Sequence, residues 1–311
     1  MIRLRNSIAA VILCFGHAAG AQVTNTTMSV ADAFLCTGSS NNPELGGADL
    51  RGLNFGAAGT LVVAPASSPK GEFQSVIKFS LSNGVALFNS TYGSNNWFVS
   101  GISLKLTSNY GTGGVQPNNG IFPVISGGSF VIEWLSDDDW VEGTGTPNLP
   151  TTDGVTYDSL PDLLSGPREI LCTNTYSPPG NNIPVTWLLP LATNLVADIL
   201  SGGDVTFHFY AADNQIGYLF NSYNYGRGNQ PLIQVVAAPL LKILSGGFTN
   251  GLFHLTGIGN NNSTYQIQAG TNLSTTNWQT IGTATADTNG LIRFDDSGAT
   301  NQPRRYYRFR Q

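Results

Sequence analysis

Alternation of apolar and polar positions runs through most of the chain. Phe73, Ile77, Phe79 and Leu81 fall on one side of a period-two pattern, with Gln74, Lys78 and Ser80 on the other. Ile102, Leu104 and Leu106 alternate with Ser103 and Lys105. Phe130, Ile132 and Trp134 share a face, and Val205, Phe207 and Phe209 alternate with Thr206, His208 and Tyr210. A period of two over such lengths predicts half-buried β-strands. Asn-Gly, Gly-Gly, Pro-Gly and Asn-Asn pairs between them predict turns. One stretch has the helical period instead: Leu191, Leu195, Val196 and Ile199 line one face of 191–200, and Ser201-Gly202-Gly203 stops it. The pattern predicts an all-β sandwich or jelly roll with one short helix packed over its end.

The pattern also divides the chain. Residues 231–238, PLIQVVAA, read as a closing strand, and a boundary falls near Ala237-Ala238-Pro239. The following strands, LFHLTGI, TYQIQAG, NWQTIGTATA, GLIRFDD and RRYYRFR, predict a small Ig-like or fibronectin-like sandwich over 240–311. The start of the chain is different again. Arg3 and Arg5, a short apolar run from Ser7 to Gly16, and Ala19-Gly20-Ala21 read as a secretory signal peptide over 1–21, cleaved before Gln22. No later stretch reaches the roughly 18 consecutive apolar residues of a membrane span. The expected product is secreted, to the cell surface, the surroundings or the periplasm.

Composition sharpens this. Only 11% of residues are charged and 37 are glycine, which suits a turn-rich extracellular β protein. Loss of residues 1–21 would take the net charge from −5 to −7. Residues 22–239 hold 6 basic and 16 acidic side chains, whereas 240–311 hold 6 basic and 3 acidic. The acidic main body excludes nucleic acid as its partner and is a poor match for an anionic polysaccharide. Cys36 and Cys172 remain outside the leader. They would pair in an oxidising compartment, or stay as two buried free thiols.

Candidate chemistry centres on SDDDWVEGTGTP, residues 136–147. A glycosidase needs two carboxyl groups across a cleft, and Glu133, Asp137, Asp138, Asp139 and Glu142 are of the right type. A calcium ion needs several loop oxygens, which Asp137, Asp139, Glu142 and Asp153 would supply; the alternative is a solvated acidic loop. The spacing is not that of an EF-hand. Aromatic rings stack on sugars, and Trp140, Tyr157, Tyr223 and Tyr225 lie at strand ends or in loops, with burial in the core as the other reading for each. Other chemistry lacks a basis. His208 and His254 are far apart and read as surface or rim side chains, no Gly-x-Ser-x-Gly elbow occurs, and no zinc-ligand spacing is present. GTGG at 111–114 reads as a turn.

Taken in order, several motifs carry a resemblance. They are Ala31-Asp32-Ala33-Phe34, then Lys70 to Leu81, Trp140-Val141-Glu142-Gly143-Thr144-Gly145, Thr152 to Tyr157, Phe220-Asn221-Ser222 and Gln230-Pro231-Leu232-Ile233. This series resembles the DNRLRE-type secreted domain, related to a carbohydrate-binding module family, across nearly all of 22–239. The resemblance implies a jelly-roll sandwich without catalytic machinery. It also implies that Trp140 pins its loop to the core and that Glu142 binds backbone amides of the Gly-Thr turn. The tail, with Tyr265, Thr271-Asn272-Leu273, Trp278 and Arg304-Arg305-Tyr306-Tyr307-Arg308, resembles a C-terminal sandwich module of bacterial secreted proteins. The expected function is glycan binding without catalysis or an obligatory cofactor, calcium being the one candidate. The alternatives are a structural or adhesive surface protein, and a polysaccharide hydrolase or lyase.

Overall fold

The computed structural model describes residues 22–39, 48–109, 120–178, 180–259, 262–273, 278–288, 290–302 and 304–310. The leader at 1–21 and the GTGG turn lie outside these residues. The protein is nearly all β, with its sheets packed as a sandwich. The strands are β1 (Val23–Cys36), β2 (Thr60–Val63), β3 (Phe73–Ser80), β4 (Trp97–Thr107), β5 (Gly128–Leu135), β6 (Arg168–Tyr176), β7 (Pro184–Leu189), β8 (Asp204–Ala211), β9 (Tyr218–Asn221), β10 (Leu232–Pro239), β11 (Lys242–Thr249), β12 (Leu252–Ile258), β13 (Thr264–Gly270), β14 (Gln279–Thr285), β15 (Leu291–Asp296) and β16 (Tyr306–Arg310). Three helices interrupt them: α1 (Ser82–Tyr92), α2 (Leu160–Leu163) and α3 (Thr193–Ser201).

Eight strands form one sheet in the order β6-β5-β8-β3-β1-β10-β4-β7. The opening strand β1 therefore sits in the middle, between β3 and β10, and the Ser29 N–H donates to the Pro231 carbonyl across 3.1 Å. The short β2–β9 ladder packs against the sheet, and Ser75 ties it down by bonding both the N–H and the carbonyl of Val62. The core of this part is aromatic. Phe34 stacks on Phe55 at 4.6 Å, and Phe130, Tyr176, Phe209, Tyr218 and Phe220 form a continuous run.

The predicted helix at 191–200 is α3, and Gly202 ends it in the left-handed conformation, at φ 76°. Helices α1 and α2 were not anticipated. The Ser82-Asn83-Gly84 start of α1 reads locally as a turn. Its helical conformation is favoured by long-range burial of Phe88 and Tyr92, with Phe88 against Trp97 at 5.0 Å.

Residues 25–85 and 101–235 make one compact unit. The other holds 86–100 and 236 onward, with the first described residues. In the latter, β11-β12-β15 and β14-β13-β16 are two three-stranded sheets. They enclose Phe253, Leu255, Tyr265, Ile267, Ile292, Tyr307 and Phe309. Phe253 and Tyr307 stack at 4.8 Å.

Candidate functional site

The stretch at 136–157 is largely used by the fold: Trp140, Val155 and Tyr157 turn inward, while Asp139, Val141 and Asp153 are exposed. Trp140 and Tyr157 pack on a core cluster of Ala33, Leu35, Val76, Leu135, Val155, Leu160 and Leu163. The Trp140 indole donates to Thr206 Oγ1 at 3.0 Å, and Thr206 donates on to Asp138 Oδ1 at 2.6 Å. Lys78 donates to the Trp140 carbonyl at 2.8 Å, and its ammonium lies 4.7 Å from the ring centre. Trp140 thus pins its loop to the sheet. Tyr157 donates to Glu72 at 2.7 Å; burial, then the Glu72 acceptor, pushes its hydroxyl up to about 12. Both rings are half-buried against the core and engaged by the fold.

The four proposed calcium ligands are not brought together. Asp137 caps its own turn, accepting from the Asp139 N–H at 3.0 Å. Asp153 accepts from the Thr144 N–H, the Thr144 hydroxyl and the Thr151 hydroxyl at 3.0, 2.7 and 2.5 Å. Those bonds, the hydroxyls first, hold its carboxyl down at about 2. Glu142 points elsewhere, as described below. Among the described residues no group of three His, Cys, Asp or Glu side chains is arranged to hold a metal.

One further expectation is corrected, and one open alternative is decided. His208, read as a surface or rim side chain, is buried, and so is the candidate acid Glu133. They face each other on paired strands β5 and β8, with His208 Nδ1 3.1 Å from Glu133 Oε2 and Nε2 2.6 Å from Gln74 Oε1. Arg168 approaches Glu133 at 3.7 Å. The polar face of the sheet is roofed here by the segment after β5, so its side chains satisfy one another instead of water. Cys36 and Cys172 are both free thiols. They lie on β1 and β6, four strand spacings apart in the sheet order, or roughly 19 Å at the usual spacing. A disulfide needs Cα atoms within about 7 Å.

The remaining candidates converge on one corner built around Asn54, which is fully buried. Its amide donates to the carbonyls of Glu142 and Val155 at 2.7 and 2.8 Å. Its oxygen accepts from the N–H groups of Gly56 and Gly145, both at 3.0 Å. Four bonds from one side chain staple three loops together. The glycines are required: a Cβ on Gly145 would run into the Asn54 carbonyl.

Glu142 Oε1 accepts from the Asp32 N–H and from the Asn224 amide, each at 3.0 Å. Its partners are thus a strand amide and a turn side chain, rather than the Gly-Thr amides expected. Asp32 Oδ2 accepts from the Tyr223 N–H at 2.6 Å, while Oδ1 has no partner among the described residues. Burial raises the Asp32 carboxyl well above the ordinary range, and the Glu142 charge adds to this against the Tyr223 hydrogen bond. Burial likewise raises Glu142. Both acids serve to fix the 222–230 turn, which is further closed by Tyr225 N–H to Ser222 O at 3.2 Å and Asn221 Nδ2 to Asn229 O at 3.2 Å. On this turn Tyr223 is 42% exposed and Tyr225 is half-buried beside Gly59. Asn54 and Asn224 were not singled out from the sequence, and Asp32 entered only as part of the Ala31-Asp32-Ala33-Phe34 motif, with no role given to it. Asp32 interrupts the apolar run Ala33-Phe34-Leu35-Cys36 at its edge, which is the one local trace of its role.

No protein-family model and no curated relative matches the chain. Among solved structures it is similar to a β-D-glucuronidase from Dictyoglomus thermophilum, at 8% identity and a TM-score of 0.21 over 91% of this chain and 39% of that one. It is also similar to a β-glucuronidase from Ruminococcus gnavus in complex with D-glucaro 1,5-lactone, at 7% identity and 0.21 over 91% and 40%. The chain spans about two fifths of the length of these structures.

Proposed function

We propose that the chain is a secreted, non-catalytic protein that binds a neutral glycan through the 222–230 turn. The observation that carries this reading is the exposed Tyr223 ring on a turn anchored from beneath by Asp32, Glu142 and Asn224. A ring held on a rigid turn stacks on a sugar face with little ordering cost. Tyr225, Arg227 and Asn229 lie on the same turn and would supply the polar contacts. The absence of a catalytic role is supported by the state of the nearest acids: Asp32 is fully buried, and both Asp32 and Glu142 are bound to backbone amides. The resemblance to the DNRLRE-type domain agrees with this reading.

The test is a binding screen of residues 22–311 against soluble and insoluble neutral polysaccharides, repeated with Tyr223→Ala. Binding lost in the variant supports the reading, and release of reducing ends would sink its non-catalytic part. If no polysaccharide binds, the adhesive alternative gains. That alternative rests on Leu188, 84% exposed on the edge strand β7, and it requires concentration-dependent self-association in sedimentation.

A further inference from the structure

The second unit has the opposite character to the first in charge and in the use of its polar groups. A cavity of about 290 Å³ opens at one end of its β14-β13-β16 sheet, lined by Ala269, Gly270, Thr271, Gln279, Gln302 and Arg305. That volume is near the low end for small-molecule sites and fits one sugar-sized ring. Four of the six lining residues carry polar side chains. Among the described residues, the side chains of Thr271, Gln279 and Gln302 make no hydrogen bond, in contrast to the fully engaged groups around Asn54.

Arg305 is the cation of this cavity, and it is held in place. Its Nε lies 3.2 Å from Asp296 Oδ2. Asp296 is itself buried and fixed by the Gly298 N–H and the Tyr307 hydroxyl, each at 2.9 Å. That ion pair occupies one nitrogen of the fork and orients it; no other partner of the guanidinium is described. Asp296 balances the local charge, but 240–311 as a whole carries a net +3, with Arg304 next in sequence.

We infer that this cavity binds a polyhydroxy carboxylate, a uronate unit, with Arg305 receiving the carboxylate and Gln279, Gln302 and Thr271 its hydroxyl groups. A guanidinium fork suits a planar carboxylate, and amide and hydroxyl side chains both donate and accept, as vicinal sugar hydroxyls require. The acidic first unit would repel such a ligand, so the two units would divide glycans by charge. This site is independent of the Tyr223 turn.

The experiment is calorimetric titration of residues 22–311 with D-galacturonate, tri-galacturonate and D-galactose. Both uronates are expected to bind, with galactose at least about tenfold weaker and with affinity falling as salt rises. Tighter binding of the trimer marks a chain as the source of the unit, and equal binding marks the free acid or a chain end. Arg305→Lys keeps the charge facing Asp296 but loses the fork, and should weaken uronate binding about tenfold. The Gln279→Ala/Gln302→Ala double variant changes two exposed positions, so it decides the matter if Arg305→Lys fails to fold. It should weaken binding severalfold, while Tyr223→Ala should leave uronate binding unchanged. No uronate binding at millimolar concentration, equal binding of galactose, or full affinity in the double variant would overturn the inference.

Discussion

Asp138 is one of three adjacent aspartates, and it alone reaches the sheet. Its flanking residues keep to the loop, while its own carboxyl takes the Thr206 hydroxyl. Burial, with Asp198 and Asp204 adding like charge, pushes it up to about 6 against the pull of Thr206 and Lys78. A group with a raised folded value contributes stability in full below its unfolded value, about 4, and loses it as pH rises through 6. Asp138→Asn should therefore show a smaller fall in melting temperature than the parent between pH 4 and 7. Identical pH profiles would refute that assignment. Asp32 acts in the same direction, and Asp153, held at about 2, in the opposite one: its contribution persists above pH 4 and is lost as pH falls through 2. None of this was legible in the letters Asp-Asp-Asp. Which carboxyl is desolvated depends on Thr206, 68 residues away.

At the scale of elements, the alternating strands were legible because a period of two leaves its mark on every face a sheet buries. β3, β5 and β8 are where the pattern places them, and so is the helix at 193–201. What the pattern could not say is that their polar faces are covered as well. Lys78, Glu133 and His208 are polar by type and buried in fact, because the segment from Ser136 to Leu164 folds back over them. The aromatic candidates separate along this division. Trp140 belongs to the cover, so Trp140→Ala should cost about 3 kcal/mol in chemical denaturation and raise protease cleavage within 136–160. Tyr223 belongs to the exposed turn, so Tyr223→Ala should shift stability by under about 0.5 kcal/mol. A Trp140 variant as stable as the parent would mean that the ring is not what holds the cover. The same contrast explains why residue type alone nominated both: stacking platforms and core anchors draw on the same side chains.

For the whole molecule, two cysteines in a chain read as secreted invited a bond that the sheet order forbids. Cys36 is buried on a central strand, and burial raises its thiol far above the ordinary value; Cys172 is half-buried on the edge strand β6. In protein lacking residues 1–21, a thiol reagent should label Cys172 first and Cys36 only on unfolding, and reductant should leave the melting temperature unchanged. Loss of stability on reduction would contradict the sheet order. Sequence spacing gave no warning here, since strand neighbours are set by topology. The same topology bears on how the protein can be made. The seam between β1 and β10 runs through the middle of the largest sheet and joins Ser29 to Pro231. A growing polypeptide emerging from the ribosome carries β1 from the start but lacks its second neighbour until some 200 residues later. Until then the sheet has an open flank at its centre, and no truncated product ending before residue 231 can close it. Closure of the largest sheet is thus deferred until the chain has grown past residue 231, however early its other strands are made.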